Sequence, residues 1–143
     1  GKPRVEEMWK STISKLRDPV DPAFVREFLQ ATVAPSVPKD LVNKAIKKAQ
    51  KMPARVWRET NKGLLEDDSF RELGEITVPT LIVWGDQDVI SPQNEQNMLV
   101  ERIPDGRLVV YQGAGHTFYL ELPERVASDL ETFVEESTSK MGR

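Results

Sequence analysis

Apolar positions along the chain follow two different periods, and the change falls near residue 75. Before it the spacing is helical. Val5, Met8, Trp9, Ile13 and Leu16 predict an amphipathic helix over residues 4–17, which Asp18-Pro19 stops. Asp21-Pro22 restarts the chain with a capping acid and a proline at the first helical position, followed by the stripe Phe24, Val25, Phe28 and Leu29. Pro38 opens a third helix with Leu41, Val42, Ala45, Ile46 and Ala49 on one face. Pro53 opens a fourth with Val56, Trp57, Leu64 and Leu65. Short helices begun by proline and joined by short loops predict a small helical layer that packs on something else.

After residue 75 strands and helices alternate. Thr80 to Trp84 is a continuous, partly β-branched apolar run of the kind buried on both faces of a parallel sheet. Ser91-Pro92 starts a helix that Met98, Leu99, Arg102 and Ile103 carry on, and Pro104-Asp105-Gly106 turns the chain. Leu108 to Tyr111 is a second strand. A strand–helix–strand unit of this length predicts a parallel pair with a right-handed crossover. Pro123 begins a last helix with Val126, Leu130, Phe133 and Val134 facing inward, and the tail after Ser137 is expected to fray. The fold class is α/β, in three segments: helices over 1–75, a strand–helix–strand–helix unit over 76–136 and a tail over 137–143. Two strands alone leave faces uncovered and edges unpaired, so further strands are expected outside the chain.

Composition narrows the function. The 143 residues fit one ordinary domain, and 38% hydrophobic with 30% charged residues describes a globular chain. A net charge of −3 with both signs scattered gives no electrostatic case for nucleic acid or an anionic membrane, and the basic run Lys44 to Lys51 reads as a solvated helix face. The absence of cysteine excludes disulfides, thiol catalysis and cysteine metal sites, and a single histidine rules out a histidine-rich zinc site. No apolar run approaches the ~20 residues that cross a bilayer, and a cytoplasmic location is the expectation; the lack of a signal-peptide pattern at Gly1 says little, because in a fragment Gly1 is not the natural start.

The candidate chemistry sits at the strand ends, where open parallel sheets gather functional groups. Asp88 follows the first strand in the turn Gly85-Asp86-Gln87-Asp88. His116 follows the second in Gly113-Ala114-Gly115-His116. Adjacent parallel strands would bring the two loops together, and a carboxylate on one imidazole nitrogen fixes the tautomer that lets the other nitrogen take a proton. Each residue also has a plainer reading: the aspartates as turn-capping groups, the histidine as a structural loop residue. Gly113-Ala114-Gly115 is no dinucleotide fingerprint, because Phe118 occupies the third glycine position. None of the serines (Ser11, Ser14, Ser36, Ser69, Ser91, Ser128, Ser137 and Ser139) is flanked by the glycines of a nucleophile elbow.

Residues 76–136 resemble the C-terminal end of the α/β-hydrolase superfamily. The likeness rests on Val78-Pro79-Thr80-Leu81-Ile82-Val83-Trp84-Gly85-Asp86-Gln87-Asp88, then Gly113-Ala114-Gly115-His116, then Glu121-Leu122-Pro123-Glu124. Residues 4–74 are similar, by position and architecture, to the cap that many members insert before those strands. The resemblance implies a partial α/β-hydrolase fold: two parallel strands with flanking helices plus a helical cap. It puts the family's acid on Asp88 and its general base on His116, makes Asp86 a turn-stabilising group and Glu121 and Pro123 structural, and sets Val89 and Phe118 beside the substrate. The elbow and the oxyanion-hole loop that precedes it are absent, so the nucleophile would lie outside this chain and the chain alone would be inactive. The implied substrate is a small, mostly apolar ester, lactone or related carbonyl compound, with no cofactor and no metal. The implied partners are the N-terminal half of the core and, through the open strand edge, further copies of the chain. Epoxide hydrolase, dehalogenase or lyase chemistry on the same fold, and a non-catalytic binding or assembly module, are the alternatives.

Overall fold

A computed structural model describes residues 2–34 and 37–141. Four helices come first: α1 (Lys2–Ser11), α2 (Pro22–Thr32), α3 (Lys39–Ala49) and α4 (Ala54–Glu66). Strand β1 (Thr80–Gly85), helix α5 (Gln93–Arg102) and strand β2 (Gly106–Tyr111) follow, then the single turn α6 (Phe118–Glu121) and the long helix α7 (Pro123–Met141). β1 and β2 pair in parallel, with Thr80 opposite Gly106 and Gly85 opposite Tyr111. The described residues contain two strands in one sheet. None of their helices is long and apolar enough to cross a membrane.

The helical layer has its own core. Val20, Val25, Ala54 and Trp57 are buried together, with Leu16, Phe24, Phe28, Leu29 and Ala49 packed around them. Phe24 and Phe28 meet Trp57 edge-on, at ring separations of 5.4 and 5.1 Å. Burying such a cluster is the main stabilising term available to short helices, which are marginal in isolation. The caps follow the sequence in part. Asp21 accepts a 2.8 Å bond from Ala23 N–H, with Pro22 behind it in the first turn. Asp18 does more than stop a helix, because its carboxylate accepts from Ala54 N–H at 2.6 Å and so caps α4 from 36 residues away.

Several expectations are corrected. The first helix does not run over residues 4–17. It ends at Ser11, and a 3₁₀ turn over Ile13–Lys15 follows. Ser11 and Thr12 bond locally at this point, Ser11 Oγ reaching Met8 O and Thr12 Oγ1, which offers the backbone an alternative to the helix. On α4 the stripe splits: Trp57 is buried, whereas Val56 and Leu64 are exposed. On α7 the inward face is narrower than the apolar pattern, and Leu130 and Val134 are exposed. The two-stranded sheet offers too small a surface to cover the whole stripe. The last helix does not end at Ser137 but continues to Met141, with Thr138 and Ser139 bonded back to Val134 O and Glu135 O; residues 142–143 of the expected tail lie outside the described residues. β2 begins two residues before Leu108, at Gly106.

Candidate active site

The two loops that leave the carboxyl ends of β1 and β2 lie against each other, and backbone contact brings them there. Gly85 ends β1 so close to the second loop that a Cβ would sit 2.3 Å from Ala114 O and 2.6 Å from Gly115 O. Only glycine fits. Gln87 N–H donates to Ala114 O, and Asp86 N–H donates to Tyr111 O. Asp86 Oδ1 accepts from Gly113 N–H at 2.7 Å, where Gly113 turns the chain with φ +75°. Asp86 is therefore the clasp between the loops.

Asp88, two residues on, is aimed differently. Its side chain is 6% exposed. Oδ1 accepts from Ile90 N–H at 2.7 Å and from Ser91 N–H at 3.1 Å. Oδ2 lies 2.9 Å from His116 Nδ1. One oxygen is thus fixed by backbone donors, leaving the other for the imidazole. His116 is 42% exposed, and among the described residues its Nε2 has no hydrogen-bond partner. A carboxylate on Nδ1 places the proton there in the neutral ring, so Nε2 carries the free lone pair. The pair can accept a proton at Nε2 and stabilise the resulting imidazolium.

Other groups hold the histidine turn from behind. Gly115 N–H donates to Glu121 Oε2 at 2.9 Å, and Ala34 N–H donates to Glu121 Oε1 at 3.1 Å. Thr117 N–H donates to Thr32 O at the end of α2. Beneath the turn Tyr111 is fully buried, and its hydroxyl donates to Asp129 Oδ2 at 2.7 Å. Burial, the Asp129 bond and the Asp129 charge push the Tyr111 phenol up to about 12, against the opposing pull of Arg125, which lies over the ring.

Beside this site lies an apolar cleft of about 260 Å³, walled by Val5 and Met8 of α1, Phe24, Phe28 and Ala31 of α2, and Ile90 of the Asp88 loop. Arg4 and Glu27 lie at it too, and Arg4 also donates to Val89 O. The sequence-predicted residues are distributed unevenly. Asp88 and His116 come together. Val89 is half exposed beside Asp88, and Phe118 packs edge-on against Tyr111 at 5.5 Å. The cleft residues were visible in the sequence only as helical stripes, which do not separate a core face from a pocket face. Among the described residues no three histidine, aspartate or glutamate side chains gather as metal ligands would.

A strand–helix–strand unit with an aspartate and a histidine in hydrogen-bond contact at the strand ends defines an α/β architecture with one polar site at the carboxyl ends of its strands. The family model for the α/β hydrolase fold matches residues 17–123, and the chain belongs to that family. It is 33% identical over 67 residues to pimeloyl-(acyl-carrier protein) methyl ester esterase of Nitrosomonas europaea, a match over 47% of this chain and 27% of that protein. It is 36% identical over 83 residues to a non-heme haloperoxidase of Rhodococcus erythropolis, covering 57% and 30%. The thermophilic esterase from Thermogutta terrifontis superposes with a TM-score of 0.81 at 23% identity, covering 96% of this chain and 52% of that one. The chain thus spans about half the length of that solved structure and under a third of those curated relatives.

Proposed function

We propose that this chain supplies the general base, the orienting acid and the cap of an α/β-hydrolase whose nucleophile lies outside these 143 residues. The carrying observation is the 2.9 Å contact of Asp88 Oδ2 with His116 Nδ1, with Nε2 left open. In this reading Nε2 takes the proton of the attacking hydroxyl and delivers it to the leaving group. It then takes a proton from water, and the resulting hydroxide releases the covalent intermediate. Asp88 holds the ring and stabilises the imidazolium throughout. Residues 1–75 form the cap. The apolar cleft between α1, α2 and the Asp88 loop favours a small apolar ester, lactone or related carbonyl substrate, and Arg4 at the cleft ties it to Val89 through the Val89 carbonyl. The reaction needs no cofactor.

The chain by itself would be inactive, since each absent oxyanion donor is worth ~2.7–4 kcal/mol in addition to the nucleophile. One edge of β1 is unpaired among the described residues and fits either the remaining core of the hydrolase or a second copy of the chain. Light scattering of the isolated chain should show association rising with concentration, and a clean monomer throughout would remove the second option.

The decisive experiment uses the full-length protein and p-nitrophenyl butyrate. Asp88→Asn and His116→Ala should each lower kcat/KM by roughly 10³–10⁴-fold with the fold intact. Unchanged turnover in both would remove the catalytic role and leave the family's fold in a binding or assembly module.

A further inference from the structure

Glu121 joins two parts of the molecule that the proposed chemistry does not by itself connect. Its Oε2 accepts from Gly115 N–H, next to His116, and its Oε1 accepts from Ala34 N–H, just past the end of α2. Thr117 adds a second tie: its N–H donates to Thr32 O at 3.2 Å, and its Oγ1 lies 3.3 Å from Thr32 O and 3.4 Å from Glu121 Oε1. Ala34, Thr32 and Thr117 are all buried. The fit is close, since a Cβ on Gly115 would stand 2.9 Å from Ala34 N and 3.1 Å from Glu121 Oε1. Thr32 also lines the apolar cleft with Phe28 and Ala31 of the same helix.

The donors decide what this residue must be. Two buried backbone N–H groups from distant segments converge on one carboxylate, and neither may be left unpaired at low cost. An ionised carboxylate presents acceptors on both oxygens, and an amide presents one acceptor and one donor group. No other side chain of this size satisfies both N–H groups at once.

We infer that Glu121 is a positioning residue that locks the His116 turn to the end of α2, so that the cleft wall and the imidazole are held as one unit. The inference rests on His116 acting as the base. It makes a distinctive prediction: Glu121→Gln, which keeps size and shape, is nearly as damaging as Glu121→Ala, because the amide donor faces a backbone donor. A residue that only fills space would be rescued by glutamine.

These 143 residues hold one histidine, and loss of its imidazole NMR signal in His116→Ala assigns that signal in the full-length protein. In the full-length protein the Nδ1–H resonance of His116 should be slow to exchange, vanish in Asp88→Asn, and broaden in Glu121→Gln. In the full-length protein Glu121→Gln should lower kcat roughly 10–100-fold with KM little changed, the pattern of a misplaced catalytic group. Thr117→Val, which keeps volume and the backbone tie, should broaden the same signal to a smaller degree, and it decides the matter if Glu121→Gln does not fold. A protected Nδ1–H and wild-type kcat in both variants would overturn the positioning role and leave the catalytic pair standing. A full-length wild-type protein with no protected Nδ1–H would instead remove the pair, and the positioning role with it.

Discussion

The helical layer and the strand-end loops are held by opposite kinds of force. Around Trp57 the contacts are apolar and broad: Val20, Val25 and Ala54 are buried with it, Phe24 and Phe28 pack edge-on, and the buried Trp57 Nε1 has no hydrogen-bond partner among the described residues. Around Asp88 and His116 nearly every contact is directional, a backbone N–H on a carboxylate or a carbonyl. Apolar packing answers to volume and tolerates shape-conserving change. Hydrogen-bonded loops answer to atom type and angle, so they keep a geometry and accept little substitution. The first region shapes a cleft, and the second fixes the orientation of an imidazole.

That contrast can be broken by experiment. Trp57→Ala should be the most damaging change in the layer, costing about 3–5 kcal/mol as a buried aromatic is lost and a cavity opens. Chemical denaturation reads it directly. In the loops Gly85→Ala should cost about 3 kcal/mol although it adds a single methyl, because the atoms it meets are backbone carbonyls of Ala114 and Gly115 that cannot move aside. If Gly85→Ala were neutral, the close approach of the two loops would be wrong.

The Tyr111–Asp129 bond sharpens the comparison through pH. The fold favours the neutral phenol, raising Tyr111 from 10.0 to about 12. The resulting stabilisation is complete below pH 10 and is lost as pH rises through about 12; it is on the order of 2 kcal/mol. Tyr111→Phe should flatten the stability profile over that alkaline window, and an unchanged slope would remove the phenol as its source. The smallest effect returns to the layer. Trp57→Phe should cost less than about 1.5 kcal/mol, since it keeps most of the ring and the lost N–H has no partner to strand. A loss as large as that of Trp57→Ala would mean the indole N–H is bonded after all.

Much of this architecture was legible in the sequence, for reasons that differ by region. The change of period near residue 75 separated helices from the strand–helix–strand unit, and the Gly-Asp-Gln-Asp and Gly-Ala-Gly-His turns marked the ends where Asp88 and His116 meet. Glycines in such turns report close backbone approach or a left-handed turn, and here Gly85 and Gly115 do the first and Gly113, at φ +75°, the second. Long-range polar partners were not legible. Nothing local in Asp18 signals that it caps Ala54, and nothing local in Glu121 signals that it reaches Ala34, because a hydrogen bond across tens of residues leaves no periodicity behind. Apolar periodicity also overstated burial at Leu64, Leu130 and Val134, since a stripe records what a helix can cover and not the width of the surface it meets.

The central claim is that His116 serves a nucleophile outside these residues, and mapping a fluorophosphonate adduct on the full-length protein tests it most directly. The account predicts one labelled serine, on a peptide outside residues 1–143, with labelling slowed by about 10³-fold or more in His116→Ala. Label on a serine within residues 1–143, or labelling indifferent to His116, would contradict it.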